Sequence, residues 1–239
     1  MASLLNGMDD PMEAHSSIQR SPTIAGLFAV PVAAFEAHGP IDPRVLAPEE
    51  AAHVERAVPK RVGEFAAGRA CARRALEELG VRDFVLRVGS EREPLWPAGI
   101  AGSITHTAGF CAAVAAHTTL VAALGLDAEH REAVHRRLWR QIATPEEISW
   151  LESLDSDQAD EMATLIFSAK EAFYKCQFAV TREWLNFSDV SVSVGPRDFE
   201  IRPLRRLALE LRASPPWRGR HAPERSLIVA GCSLPARSV

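Results

Sequence analysis

Apolar and polar residues along this chain change their period several times, and each change marks an element. Residues 27–35 are almost continuously apolar, which predicts a buried strand. Between 48 and 80 the spacing becomes helical: Val54, Val58, Val62, Phe65, Arg69, Ala72 and Leu76 fall near one face, and Gly80 is a natural stop. Pro59 inside that stretch predicts two helices or a kinked one, because proline removes a donor and crowds the preceding turn. Residues 81–88 read as a short strand. Residues 90–102 contain Pro94, Pro97, Gly99 and Gly102 and read as a loop. Two apolar segments, 110–116 and 120–129, flank His117-Thr118-Thr119 and predict a hairpin-like pair of strands.

The second part of the chain repeats this order. Residues 130–142 read as a helix, and Thr144-Pro145-Glu146-Glu147 as a new helix start with Thr144 as N-cap. Residues 160–178 are strongly helical, and 190–194, 199–211 and 226–234 return to strand chemistry. Helix followed by strands, twice, predicts an α+β architecture of two similar halves meeting near residues 117–121. The expected division is a flexible tail at 1–22, an N-terminal half at 23–118 and a C-terminal half at 119–239.

Composition narrows the class. An apolar fraction of 47% and a charged fraction of 24% are those of an ordinary globular protein. A net charge of −4 argues against a general nucleic-acid binder, so any attraction to phosphate must be local. Cys71, Cys111, Cys176 and Cys232 are scattered without a CxxC pair, which predicts buried thiols of a reduced, cytoplasmic protein without a zinc site. The first residues lack a cationic leader, and no apolar run is long enough to span a bilayer, so no membrane association is expected.

Four clusters could carry chemistry. In Gly125-Leu126-Asp127-Ala128-Glu129, strand alternation puts Asp127 and Glu129 on one face, where two carboxylates repel unless a hard cation such as Mg²⁺ lies between them; a solvated strand end is the bland alternative. In Phe167-Ser168-Ala169-Lys170-Glu171-Ala172-Phe173-Tyr174-Lys175, Glu171 and Lys175 stand one turn apart and could simply form an exposed ion pair. Lys170, among aromatic neighbours, is harder to account for that way. Gly102-Ser103-Ile104-Thr105-His106-Thr107 offers hydroxyls and an imidazole to phosphate oxygens, or a structural histidine. Arg61 and Arg69, near two helical turns apart, could face one ligand or form a solvated basic face with Arg73 and Arg74.

The order of these motifs resembles a known family. The segment VPKRVGEFAAGRACARRALEEL at 58–79, then REPLWPAGIAGSITH, GLDAE and FSAKEAFYK, is similar to the larger, coenzyme A-dependent 4′-phosphopantetheinyl transferases, nearest the branch serving siderophore, nonribosomal peptide and polyketide synthesis. The resemblance runs from about residue 27 to 234. It implies a pseudo-dimer of two α+β halves with coenzyme A in the cleft between them. It further implies that Asp127, Glu129 and Glu171 hold Mg²⁺, with Mn²⁺ as an alternative ion, and that Lys170 binds a phosphate. Lys175 would neutralise or protonate the departing 3′,5′-ADP, and Glu171 or a nearby water would act as general base. Thr105 and His106 would contact the nucleotide phosphates, and Arg61 and Arg69 the 3′-phosphate. The N-terminal half would thus carry the nucleotide contacts, and the C-terminal half the metal site.

Two departures from the family stand out. Members often place a tryptophan shortly before the K-E pair, where this chain has Phe167 and Ser168; many also carry a basic residue near 85–93, for which Arg87 and Arg92 are the candidates. The implied partners are coenzyme A and apo acyl- or peptidyl-carrier domains, with the chain acting as a monomer. Arg202, Arg205, Arg206, Arg218 and Arg220 could dock an acidic carrier or form a solvated rim. The competing readings are a Mg²⁺-dependent nucleotide pyrophosphatase and a non-catalytic coenzyme A-binding module.

Overall fold

The computed structural model describes residues 17–211 and 213–236. Strand β1 (Ile18–Arg20) is followed by a single helical turn, α1 (Pro22–Ala25), which Ser21 caps by accepting the Ile24 N–H. Next come β2 (Ala33–His38), α2 (Pro48–Ala51) and the long α3 (Pro59–Glu78). Proline at the first position of α3 costs no intrahelical bond, which is why the break expected at Pro59 appears as a separate helix. The hairpin β3 (Ile100–Thr107) and β4 (Phe110–His117) leads into β5 (Val121–His130). The rest of the chain forms α4 (Trp139–Ile142), α5 (Pro145–Leu151), α6 (Ser156–Thr181), β6 (Val190–Val194), β7 (Asp198–Pro203), β8 (Trp217–Glu224) and β9 (Leu227–Pro235).

These strands build two antiparallel sheets, ordered β1-β2-β4-β3 and β5-β9-β8-β7-β6. One long helix covers each. Ala67, Ala70, Cys71 and Leu76 of α3 pack on Phe35, Cys111 and Ala113 of the first sheet. Ala169, Ala172, Phe173 and Cys176 of α6 pack on Phe199, Ile201 and Cys232 of the second. The opposite faces of the two sheets share a third core, in which Ala34, Ala112 and Val114 meet Leu124, Leu126 and Val229. The result is α+β, a pseudo-dimer of two helix-on-sheet units stacked sheet to sheet. Among the described residues no helix is long and apolar enough to cross a membrane.

Several expected elements differ. Residues 1–16 of the expected tail lie outside the described residues, but Ile18–Arg20 pairs with β2 rather than dangling. The strand expected at 27–35 begins only at Ala33, since residues 27–32 turn out of α1. Residues 81–88 form no strand beyond one bridge between Val88 and Pro94. The strands at 110–117 and 121–130 are not a hairpin: β4 pairs with β2 and β3, and β5 with β9, so the turn between them switches sheets. Residues 130–142 become helical only from a 3-10 turn at Arg136–Leu138 into Trp139–Ile142, and the strand expected at 199–211 ends at Pro203.

Candidate active site

The strands β3 and β5 are the facing edges of the two sheets, and their meeting builds the site. An edge strand presents unpaired N–H groups that cannot be buried bare. Here side-chain hydroxyls from β3 supply the missing acceptors. Ser103 Oγ accepts the Leu126 N–H at 3.0 Å, and Thr105 Oγ1 accepts the Ala128 N–H at 3.1 Å. Thr105 Oγ1 also donates to Asp127 Oδ1 at 3.3 Å, and Thr107 Oγ1 to Glu129 Oε2 at 3.4 Å. The spacing of two residues keeps all three hydroxyls on the face toward β5.

On the β5 side, Asp127 is buried and its Oδ1 receives the Lys175 ammonium at 2.6 Å; Lys175 also donates to the Leu126 carbonyl at 3.0 Å. Lys175 and Glu171 share the face of α6 that crosses β5. That crossing is close: a Cβ on Gly125 would lie 1.9 Å from the Ala172 carbonyl oxygen, so only glycine admits the helix here. Burial raises the Glu129 carboxyl to about 7, helped by the charges of Asp127 and Glu171 and opposed by Lys175. Burial also raises Glu171, with Lys175 opposing and Asp127 adding to the shift.

Do these groups fit a divalent ion? Among the described residues no three His, Cys, Asp or Glu side chains are already gathered into a metal cage. In this conformation Lys175 provides the positive charge. Yet the donor set is all carboxylate, burial and neighbouring negative charge raise Glu129 and Glu171, and Asp127 Oδ2 is buried with no hydrogen-bond partner. An orphaned buried carboxylate oxygen beside two mutually repelling carboxylates suits a hard, oxygen-loving cation.

The basic groups come from the first sheet and its helix. His106 points from β3 toward α3, where Arg61 donates to its Nε2 and Glu64 lies 3.8 Å away. Burial and the Arg61 charge lower the imidazole pKa, so the ring is neutral and accepting. Arg69 is buried, stacks 4.4 Å over Phe65, and leaves its Nε without a partner. Burial lowers Arg69 to about 10, with Glu50 opposing and Arg73 and Arg61 adding to the shift. An underpaired guanidinium of this kind is ready for an anion. Arg92 lines a cleft of about 460 Å³ that also touches Ser103, Leu124, Tyr174 and Lys175, whereas Arg87 is absent from that lining.

Two expected roles change. Lys170 faces away from this group: its ammonium spends all three donors on Glu147 Oε2 (2.7 Å), the Phe187 carbonyl (2.8 Å) and the Ile142 carbonyl (3.0 Å), and it is 2% exposed. It is an interior tie between α5 and α6, with no donor left for phosphate. Thr105 is likewise 2% exposed, and its hydroxyl is committed to Ala128 and Asp127 rather than to a nucleotide. Of the five C-terminal arginines, Arg202 and Arg218 both pair with Glu200 at the surface, and Arg205 pairs with Glu183 and Asp189.

Sequence reasoning offered the hydroxyls around His106, Ser103 and Thr107 among them, to phosphate rather than to β5, and passed over Glu147 as a functional position. Glu147 sits in a capping box with Thr144 while also receiving Lys170 and the Val192 N–H. The alternation of Ser103, Thr105 and Thr107 was the available signal for the hydroxyl seam.

Comparison with known proteins adds an independent line. The 4′-phosphopantetheinyl transferase N-terminal domain matches residues 49–116, and the 4′-phosphopantetheinyl transferase superfamily matches residues 123–223. The chain is 42% identical over 159 residues to 4′-phosphopantetheinyl transferase Svp of Streptomyces mobaraensis, covering 66% of this chain and 65% of that protein, just under two thirds of its length. It is 34% identical over 194 residues to PptT of Mycobacterium tuberculosis, covering 78% of this chain and 85% of the relative. Enterobactin synthase component D of Escherichia coli K12 is 34% identical over 153 residues, covering 63% and 66%.

Proposed function

We propose, given that the chain belongs to the 4′-phosphopantetheinyl transferase superfamily, that it moves the 4′-phosphopantetheine arm of coenzyme A onto a serine of an apo acyl- or peptidyl-carrier protein. The relative named enterobactin synthase component D favours a carrier of siderophore assembly, and the motif resemblance extends this to nonribosomal peptide and polyketide carriers. A single observation carries the proposal: Asp127, Glu171 and Lys175 converge beside the β3 edge, with Arg61 and His106 on its other side. A pyrophosphate-bearing nucleotide needs that pairing of acidic and basic groups.

In the reaction the serine Oγ–phosphorus bond forms at the β-phosphorus of coenzyme A, and the bond to the bridging oxygen breaks, releasing 3′,5′-ADP. Glu171 takes the serine proton; its raised pKa makes it a stronger base than an exposed carboxylate. Lys175, one turn along α6, is placed to neutralise the departing phosphate once it leaves Asp127. Arg61, Arg69, Arg92 and the neutral His106 would hold the nucleotide end. Mg²⁺ would be held by Asp127, Glu129 and Glu171, and when bound it would offset charge on the non-bridging pyrophosphate oxygens. The two halves supply both walls of the site, so one chain suffices, and we place the reaction in the cytoplasm.

The test is intact-mass measurement of apo carrier domains incubated with the protein, coenzyme A and Mg²⁺, with and without chelator. A gain of one phosphopantetheine that chelator abolishes is expected. Glu171→Gln should slow turnover by at least about a hundredfold while still binding coenzyme A. Release of 3′,5′-ADP without carrier modification would turn the assignment to a pyrophosphatase.

A further inference from the structure

Beside Glu171 lies a hollow of about 160 Å³, walled by Tyr174, Trp184, Leu185, Phe187 and Val190 and touched by the buried Lys170. Much of this wall comes from residues 183–189, which have no regular structure before the 3-10 turn at Phe187–Asp189. The segment leaves α6 at Arg182, whose φ of 58° reverses the chain and turns it back toward the helix face bearing Glu171. Trp184 is 62% exposed, with its ring centroid 5.7 Å from both Tyr174 and Phe178. Ring contacts at so exposed a site hold a segment weakly.

The Arg205 guanidinium supplies the rest. Nη1 donates to Glu183 Oε1 at 2.7 Å and to the Arg206 carbonyl at 3.1 Å. Nη2 donates to Asp189 Oδ2 at 3.0 Å and to the Trp184 carbonyl at 3.3 Å. Both carboxylates are held in turn: Glu183 Oε2 accepts the Ala208 N–H and Asp189 Oδ2 the Asn186 N–H, each at 2.8 Å. One planar fork thus fixes both ends of 183–189 against 204–208. A lone surface ion pair would do little; a fork spanning two carboxylates and a carbonyl has the defined geometry of a network.

We propose that Arg205 is a positioning residue for the transfer reaction: it clamps the Trp184–Phe187 wall over the hollow beside Glu171. The proposal rests on the function assigned above. The wall binds the part of coenzyme A next to the pyrophosphate without taking part in bond making.

Arg205→Ala is therefore expected to raise KM for coenzyme A about tenfold while kcat stays within about twofold, the signature of lost uniform binding. Affinity for 3′,5′-ADP, which lacks the arm, should stay within about twofold. Arg205→Lys keeps the charge without the fork and should raise KM by only about threefold. Unchanged KM in Arg205→Ala would overturn the proposal, as would a parallel loss of 3′,5′-ADP affinity, which would mark general loosening. Should Arg205→Ala fail to fold, Arg205→Lys and Glu183→Gln must show the same split, or the proposal falls. A readout independent of activity is acrylamide quenching of Trp184, measured by difference against Trp184→Phe. Quenching is expected to rise in Arg205→Ala; if it does not, no clamp exists. A wild-type protein that transfers nothing would sink the assigned function instead, and the quenching result would still decide on the clamp.

Discussion

Thr105→Val tests the hydroxyl seam most directly, because it replaces a hydroxyl with a methyl of nearly the same shape. Two bonds disappear with the oxygen. The Ala128 N–H loses its acceptor at 3.1 Å, and Asp127 Oδ1 loses a donor at 3.3 Å. Both groups are buried and lie on a strand edge that faces β3, where no backbone partner stands in. A buried donor left unsatisfied costs about 1–3 kcal/mol, and the long bond to Asp127 adds about 1 kcal/mol or less, since Lys175 still neutralises that carboxylate. The extra apolar burial of a methyl recovers about 0.8 kcal/mol at most. A net loss of about 2 kcal/mol is therefore expected in urea unfolding followed by circular dichroism. Thr105→Ser, which keeps the oxygen, should recover most of it. Turnover should also fall in Thr105→Val, because Asp127 loses one of the two groups that aim it. Stability within about 0.5 kcal/mol of wild type would refute the account, because ordinary surface changes give effects that small.

Three other perturbations probe different parts of the site. Gly125→Ala drives a methyl to within 1.9 Å of the Ala172 carbonyl, so a destabilisation of about 1–3 kcal/mol or more is expected, with loss of activity as α6 shifts; both are read by unfolding and carrier-loading assays. Lys170→Met strands the buried Glu147 and should cost about 3–5 kcal/mol, yet 3′,5′-ADP affinity measured by calorimetry should not change; a large affinity loss in folded protein would restore Lys170 as a phosphate ligand. For Glu129 the folded pKa of about 7 exceeds the 4.5 of an ordinary glutamate, so the native state binds the extra proton and metal-free stability falls as pH rises through that interval. Solvent screening at this half-buried site leaves about 1–2 kcal/mol of the full effect. Thermal melts should therefore show the metal-free protein losing stability from pH 5 to 8 and Mg²⁺ restoring it at pH 8; no pH slope, or none that Mg²⁺ alters, would count against the metal ligands.

Legibility in the sequence followed the range of the interaction concerned. Thr144 and Glu147 were readable as a helix start because a capping box is complete within four residues, and the structure shows both of its bonds. Asp127 with Glu129 and Glu171 with Lys175 were each readable only as a local pair, since 127–129 and 171–175 lie far apart in sequence, and the family resemblance alone joined them into one expected site. Strand partners were not readable. The apolar runs at 110–116 and 120–129 say that each is a strand, but nothing local says that His117-Thr118-Thr119-Leu120 carries the chain from one sheet to the other. β8 went unpredicted because Gly219 and Pro223 look like breakers, whereas Gly219 is there to admit the Phe199 ring. Lys170 shows the limit most clearly. Its neighbours in sequence place it beside Glu171, but successive residues on a helix point about 100° apart, enough to send one side chain to the site and the next into the core.

The same geometry explains how a chain with a net charge of −4 would hold the polyanionic substrate proposed for it. Apart from Glu64 on the first helix and Lys175 on the second, its site charges are sorted by sheet: Arg61, Arg69, Arg92 and His106 belong to the first sheet, its helix and the adjoining loop, and Asp127, Glu129 and Glu171 to the second sheet and its helix. Mixed on one surface, such groups would neutralise one another, as Arg61 and Glu64 partly do at 3.8 Å. Kept apart, they offer one wall to phosphate and another to a cation. The walls must still be held in register, and an ionic seam would place extra charges between them and distort both fields. Ser103, Thr105 and Thr107 register the sheets with neutral hydroxyls, which satisfy the β5 edge without adding charge. Replacing Ser103 with Asp should accordingly do more harm than replacing it with Ala. Alanine leaves one buried N–H unpaired, at about 1–3 kcal/mol. Aspartate keeps an acceptor for that N–H but buries a fourth carboxylate beside three whose pKa values are already raised or whose oxygen is orphaned. Coenzyme A affinity measured by calorimetry should therefore fall further in Ser103→Asp than in Ser103→Ala; the reverse order would mean that the seam serves packing alone.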